Sequence, residues 1–178
     1  MKKLMKIISV IERNFIKNLV YFNDSIYMKK FHKYLVKIGI KIEGTPKYIF
    51  PDVYFDGTDY SKISLGDNIT ISKEVMFLTH DYSLTTAYAS IGDTIERGKG
   101  EVFFLKEIKV GKNCFIGARA SILPGTEIGD NVIVGSGCVV KGKVPDNSII
   151  IGNPWRVIGK TTEYANKHKE NGHYFIEK

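Results

Sequence analysis

The sequence predicts a mainly β protein: a parallel coil of hexapeptide repeats entered through two helices. Three observations predict it. From Val110 an aliphatic residue recurs every six positions, at Val110, Ile116, Ile122, Ile128, Val134 and Val140. Gly follows four of these six, and the fourth residue after each is small or β-branched: Cys114, Ala120, Thr126, Val132, Cys138 and Val144. Between residues 4 and 38 the apolar spacing is instead helical. A six-residue period fits neither a helix nor a hairpin. It marks one short strand plus one tight corner per repeat, with the aliphatic side chain pointing inward.

The elements follow in order. Leu4, Ile7, Ile8, Ile11, Phe15, Leu19 and Phe22 fall on one face of a first helix. Asn23 or Asp24 caps a second helix, Met28, Phe31, Leu35 and Ile38 form its apolar face, and Gly39 stops it. Such a segment serves either as a cap over the open end of the coil or as a basic amphipathic helix lying on a membrane. The need to cap terminal repeats favours the first. LGDNIT and ISKEVM, beginning at Leu65 and Ile71 and leading to Phe77, share the phase of the later repeats. The period slips at Asp56-Gly57-Thr58-Asp59-Tyr60-Ser61, which predicts a bulged corner. It vanishes between 80 and 107, and a loop of that length inside a compact domain is usually functional. The expected organisation is a helical cap over 1–40, the coil over 41–160 with an extended loop at 80–107, and a tail over 161–178.

Composition narrows the function. The 178 residues suit one domain, and 43% hydrophobic residues supply a core. A net charge of +7 favours an anionic partner such as a membrane surface or a phosphate-rich ligand. One Trp and the absence of stacking stripes or finger motifs argue against nucleic acid. No run approaches the ~18 apolar residues of a membrane span. The start, MKKLMKIISVIERN, lacks the apolar run and cleavage site of a signal peptide, so a cytoplasmic protein is expected. Cys114 and Cys138 read as core packing rather than as a disulfide.

The IGDN-like corners, the TH dipeptide at Thr79-His80 before a long loop, the unbroken hexapeptides after it and the ending VPDNSIIIGNPWRVI together resemble the hexapeptide-repeat acyltransferases. The resemblance covers about residues 42–160. Within that family it is closest to the galactoside and maltose O-acetyltransferases and to the capsular and lipopolysaccharide O-acetyltransferases. It implies a left-handed parallel β-helix, a homotrimer with active sites between subunits, and direct transfer from acetyl-CoA as co-substrate with no metal.

The family position of the catalytic histidine falls on His80. An imidazole that titrates near neutrality suits removal of a proton from a sugar hydroxyl. The resemblance further implies that Ala118 supplies an oxyanion N–H and that Ser136, Lys141, Gly142, Trp155, Arg156 and Lys160 line the coenzyme A path. On the acceptor side it points to Asp52, Asp59 and Tyr60. The loop carboxylates Asp81 and Glu101 are candidates to orient His80 or to bind acceptor. Surface-polysaccharide O-acetylation is the leading expectation, with N-acetylation of a nucleotide-linked amino sugar and a non-catalytic scaffold as alternatives. A zinc hydratase would need three histidine ligands, and the repeat region holds only His80.

Overall fold

The computed structural model describes residues 2–57, 59–96, 98–172 and 176, with the backbone alone for 2–7. The parts of the predicted cap, slip, loop and tail that fall on Met1, Thr58, Arg97, 173–175, 177 and 178 lie outside the described residues.

Short strands stack into three parallel sheets that form the faces of a prism. The first sheet holds Lys41–Ile42, Ile63–Leu65, Ile108–Val110, Glu127–Ile128 and Lys143–Val144. The second holds Tyr48–Ile49, Thr70–Ile71, Phe115–Ile116, Ile133–Val134 and Ser148–Gly152, with Trp155–Lys160 folding back antiparallel on its end. The third holds Tyr54–Phe55, Met76–Phe77, Ser121–Ile122 and Val139–Val140. Inward residues register one above another. Ile49, Ile71, Ile116, Val134 and Ile150 make one fully buried column. Burying each such side chain contributes about 1.5–3 kcal/mol.

The corners explain the repeat chemistry. The third residue after the inward aliphatic has positive φ in repeat after repeat: Asn68, Glu74, Asn113, Arg119, Gly125, Asn131, Gly137 and Asn147. Asn and Gly reach this left-handed region at least cost. The Gly directly after the aliphatic answers a different need, close approach of adjacent coils. A Cβ on Gly117 would lie 2.6 Å from the backbone N of Ser136.

Where the first sheet turns into the second, the Asn68, Asn113, Asn131 and Asn147 side chains hydrogen-bond in a continuous ladder at 3.0, 2.8 and 3.0 Å. Beside it the Asp130 and Asp146 carboxylates each accept a backbone N–H from the coil below, from Lys112 and Asp130.

The larger departures from the period lie on one edge, where the third sheet turns into the first. Phe55 to Leu65 takes ten residues instead of six and includes a 3-10 turn at Tyr60–Lys62. Phe77 to Val110 holds the large excursion. Val140 to Val144 takes only four residues. Val144 therefore pairs with Ile128 as the first residue of the next repeat. This corrects the expected phase of VKGKVP, in which Val144 held the fourth slot. Gly142, at φ +87°, makes the shortened corner possible.

Nor is the excursion without structure. His80–Asp81 pairs antiparallel with Phe104–Leu105, and Ser83–Ala89 forms a short helix. The Thr85 hydroxyl donates to the Val102 carbonyl at 2.8 Å and accepts the Val102 N–H at 3.0 Å.

The helices α1 (Lys2–Asn18) and α2 (Asp24–Ile38) precede the coil. Asn23 caps α2 by accepting the Ile26 N–H, and Gly39 ends it at φ +113°. Tyr27, Phe31, Tyr34 and Leu35 of α2 are buried with the coil core, and the Tyr27 hydroxyl donates to the Ile49 carbonyl at 2.6 Å. On the apolar face expected of α1, Ile8, Ile11 and Phe15 point outward, as does Phe22 beyond its end, and among the described side chains of α1 Ile16 is the buried one. A further helix, Thr161–Asn171, opens the predicted tail. Both cysteines are free and buried, and burial pushes the Cys114 thiol up to about 11.

Candidate active site

The irregular edge carries the strongest cluster of chemical groups. Asp56 follows inward Phe55, and Thr79 and His80 follow inward Phe77 one coil on. Pairing of Phe55 with Phe77 therefore sets the Asp56 carboxylate against Thr79 and His80 across the coil spacing of about 4.8 Å. Asp56 Oδ2 accepts from the Thr79 N–H and the Thr79 hydroxyl, both at 3.0 Å, and from the His80 N–H at 3.2 Å. It also contacts His80 Nδ1. Asp56 is only 1% exposed. Burial opposes its ionisation, but the Thr79 hydrogen bonds and the nearby His80 outweigh it and hold the carboxyl below its ordinary value. A carboxylate at Nδ1 keeps the proton there and leaves Nε2 as the basic nitrogen.

The His80 ring is also fixed by aromatic edges. Tyr82 lies 5.0 Å away and Phe103 6.4 Å away, both edge-on, and these two rings are 4.6 Å apart. Together they bring both ends of the excursion against the imidazole.

A cavity of about 330 Å³ opens at His80. Leu78, Leu123 and Pro124 give it an apolar wall, and Lys106 and Lys141 add positive charge. The Trp155 indole donates to the Lys141 carbonyl at 2.9 Å, which docks the terminal hairpin onto this edge. Among the described residues no group of three or more His, Cys, Asp or Glu is placed to hold a metal ion.

The structure unites some of the predicted residues and separates others. His80, Asp81 and Lys141 line one cavity, with Gly142 adjacent. Ala118 and Ser136 stand on a different edge, where the second sheet turns into the third. Arg156 and Lys160 are exposed on the terminal hairpin, and Lys160 leads into the last helix.

The carboxylate that meets the imidazole is Asp56, which in the sequence marks only the start of the slip. Asp81 instead accepts the Ser83 N–H at 2.8 Å, and Asp59 accepts from the Ser61 N–H and hydroxyl in the 3-10 turn. Glu101 is half-buried in the returning arm of the excursion. Lys106 was also missed, because no repeat position flags it.

Asp52 and Tyr60 line a second cavity, of about 240 Å³, between the helices and the first coil. Arg13, Lys17, Tyr34 and Tyr54 complete much of its wall. Arg13 Nε is buried there with no hydrogen-bond partner among the described residues. Burial, reinforced by the Arg13 charge, lowers the Lys17 pKa, and Asp52 pulls it the other way.

Comparison with known proteins bears on this site. A model of the bacterial transferase hexapeptide (six repeats) matches residues 107–142. The Staphylococcus aureus protein CapG is 37% identical over 139 residues, covering 78% of this chain and 76% of the relative. The chain belongs to the hexapeptide-repeat transferase family. A second member, the galactoside O-acetyltransferase of Escherichia coli K12, is 28% identical, with 80% of this chain and 74% of that protein covered. Against a putative acetyltransferase of Bacillus subtilis, 29% identical, the match spans 60% of the relative's length. A galactoside acetyltransferase structure in complex with coenzyme A superposes with a TM-score of 0.58 at 19% identity, covering 95% of this chain and 86% of that one. These hexapeptide-repeat transferases thus share the prism fold.

Proposed function

We propose that this transferase moves an acetyl group from acetyl-CoA to a sugar hydroxyl, with His80 as general base and Asp56 as its positioning carboxylate. The observation that carries the reading is the buried Asp56 bound to His80 at the mouth of a cavity with an apolar wall and cationic flanks. In the reaction, Nε2 takes the hydroxyl proton as the oxygen attacks the thioester carbonyl. The proton then passes to the departing thiolate, so no acyl-enzyme is needed. Asp56 stabilises the imidazolium formed in between.

The residues present suit the donor. Leu78, Leu123 and Pro124 fit an apolar arm, and Lys106 and Lys141, with exposed Arg156 and Lys160, fit its phosphates. Ala118 and Ser136 lie on another edge, so one chain alone does not gather the whole predicted set. A homotrimer of left-handed coils, with one subunit's edge beside the next subunit's His80, would complete it. Arg13, Lys17, Asp52 and Tyr60 then form the acceptor side, and the two cations suit an acceptor that carries negative charge.

The sugar acceptor is supported by relatives named as a galactoside O-acetyltransferase and as a putative lipopolysaccharide biosynthesis O-acetyl transferase. Surface-polysaccharide precursors are the proposed substrates. Because acetyl-CoA is an intracellular metabolite, the proposed compartment of the reaction is the cytoplasm.

The test is an acetyl-CoA turnover assay over free sugars, nucleotide sugars and nucleotide amino sugars. Transfer to a hydroxyl is expected, and transfer to an amine alone would reassign the chain to N-acetylation. His80→Ala should lower turnover by about 10²–10⁴-fold with coenzyme A affinity retained. Unchanged turnover would remove His80 from the mechanism.

A further inference from the structure

The charge of the molecule is distributed unevenly. Residues 2–38 carry nine Lys and Arg against only Glu12 and Asp24, a net charge of +7. The whole chain also has a net charge of +7, so residues 39–178 sum to zero. The entire excess belongs to the two helices, and Lys29, Lys30 and Lys33 of α2 are exposed.

The same helices carry apolar side chains that the protein does not use. Ile8, Ile11 and Phe15 of α1 are 53%, 64% and 68% exposed, and Tyr21, Phe22 and Ile26 continue the exposed apolar surface through the turn into α2. Positions 8, 11 and 15 share one helix face. The neighbouring face of α1 is already committed. Ile16 is buried, the Glu12 carboxylate pairs with Lys37 at 2.7 Å, and the Ser9 hydroxyl hydrogen-bonds with the Tyr34 hydroxyl at 3.1 Å. Rotating α1 to bury the stripe would break all three contacts.

We propose that α1 and the start of α2 form a docking surface for an anionic lipid bilayer. The apolar stripe enters the headgroup boundary while the lysines meet the negative surface potential. No described helix is long and apolar enough to cross a membrane, so the mode is interfacial. A second copy of the chain is the poorer occupant, because pairing this face with itself sets +7 against +7. A nucleic acid would match the charge but leave Ile11 and Phe15 in water. The inference stands apart from the acetyl-transfer reading, since none of the stripe residues lines either cavity.

The experiment is co-sedimentation of the full chain with phosphatidylcholine vesicles, with and without phosphatidylglycerol. At least roughly tenfold stronger partitioning to the anionic vesicles is expected, weakening as salt is raised. The double variant Ile11→Ser, Phe15→Ser, at exposed positions, should lose at least about tenfold of that binding and keep its thermal transition. The triple variant Lys29→Gln, Lys30→Gln, Lys33→Gln should abolish the preference for anionic over neutral lipid. Three results overturn the proposal. They are no vesicle binding by the wild type, equal binding by the double variant, and a fall in oligomer mass in the double variant without lipid, which would assign the stripe to a second copy.

Discussion

Two edges of the prism are built on opposite rules. Where the first sheet turns into the second, the later coils repeat the same six-residue corner, and an asparagine ladder joins one coil to the next. Where the third sheet turns into the first, only the corner from Ile122 to Ile128 keeps six residues, and the other three take ten residues, an excursion of more than twenty, and four. The regular edge uses its polar groups on itself. The irregular edge breaks the period and thereby brings Asp56, His80, Lys106 and Lys141 together. Regularity holds the coils in register, and its local suspension makes room for chemistry.

That contrast can be broken most directly at Asp56. Asp56→Asn should lower turnover by about 10²–10⁴-fold while leaving coenzyme A affinity in place, because the imidazole loses the negative, acceptor-only carboxylate that fixes its tautomer and stabilises its charged form. A variant as active as wild type would show that the edge is irregular for another reason.

Next in size is the shared core. Ile116→Ala removes a fully buried member of the second sheet's column and should cost about 2–5 kcal/mol of unfolding free energy, read from urea titration. A loss below about 0.5 kcal/mol would mean that the columns do not hold the coils.

The regular edge should respond in stability alone. Asn131→Ala removes two ladder hydrogen bonds and puts alanine, which tolerates the left-handed region less well than asparagine, at φ +55°, so a loss of about 1–2 kcal/mol with unchanged turnover is expected. A fall in turnover to match Asp56→Asn would erase the difference between the edges.

The smallest effect concerns acid stability. Folding lowers the Asp56 pKa, so its ionised form contributes stability that is fully present above the ordinary aspartate value of about 3.9. That contribution is lost as pH falls through the lowered folded value. Urea midpoints measured over this range should fall less steeply for Asp56→Asn than for wild type, and parallel curves would count against the buried pairing.

Some of this was legible in the residues and some was not. The hexapeptide phase, the Asn23 cap and the Gly39 stop depend on neighbours within a few positions, and the structure carries them in place. His80 stood out because it heads the stretch where the period fails. Asp56 did not, because its partner lies 24 residues along the chain and meets it only when two coils stack. Val144 was put in the wrong slot because a corner two residues short leaves the aliphatic pattern intact while shifting its phase. The apolar stripe of α1 is legible as a stripe, but helical periodicity does not say which side the coil will occupy, so the choice between cap and membrane face stays open in the sequence.

The sequence alone determined that short strands and tight corners would alternate, because side-chain volume and backbone preference act on each residue and its immediate neighbours. It also determined where that alternation would stop. Only the tertiary structure decided which edge the interruptions share, which carboxylate meets the imidazole and which helix face stays in water. Those outcomes depend on coil upon coil and on helix against coil, and contacts between residues far apart in the chain exist only once the whole prism has closed.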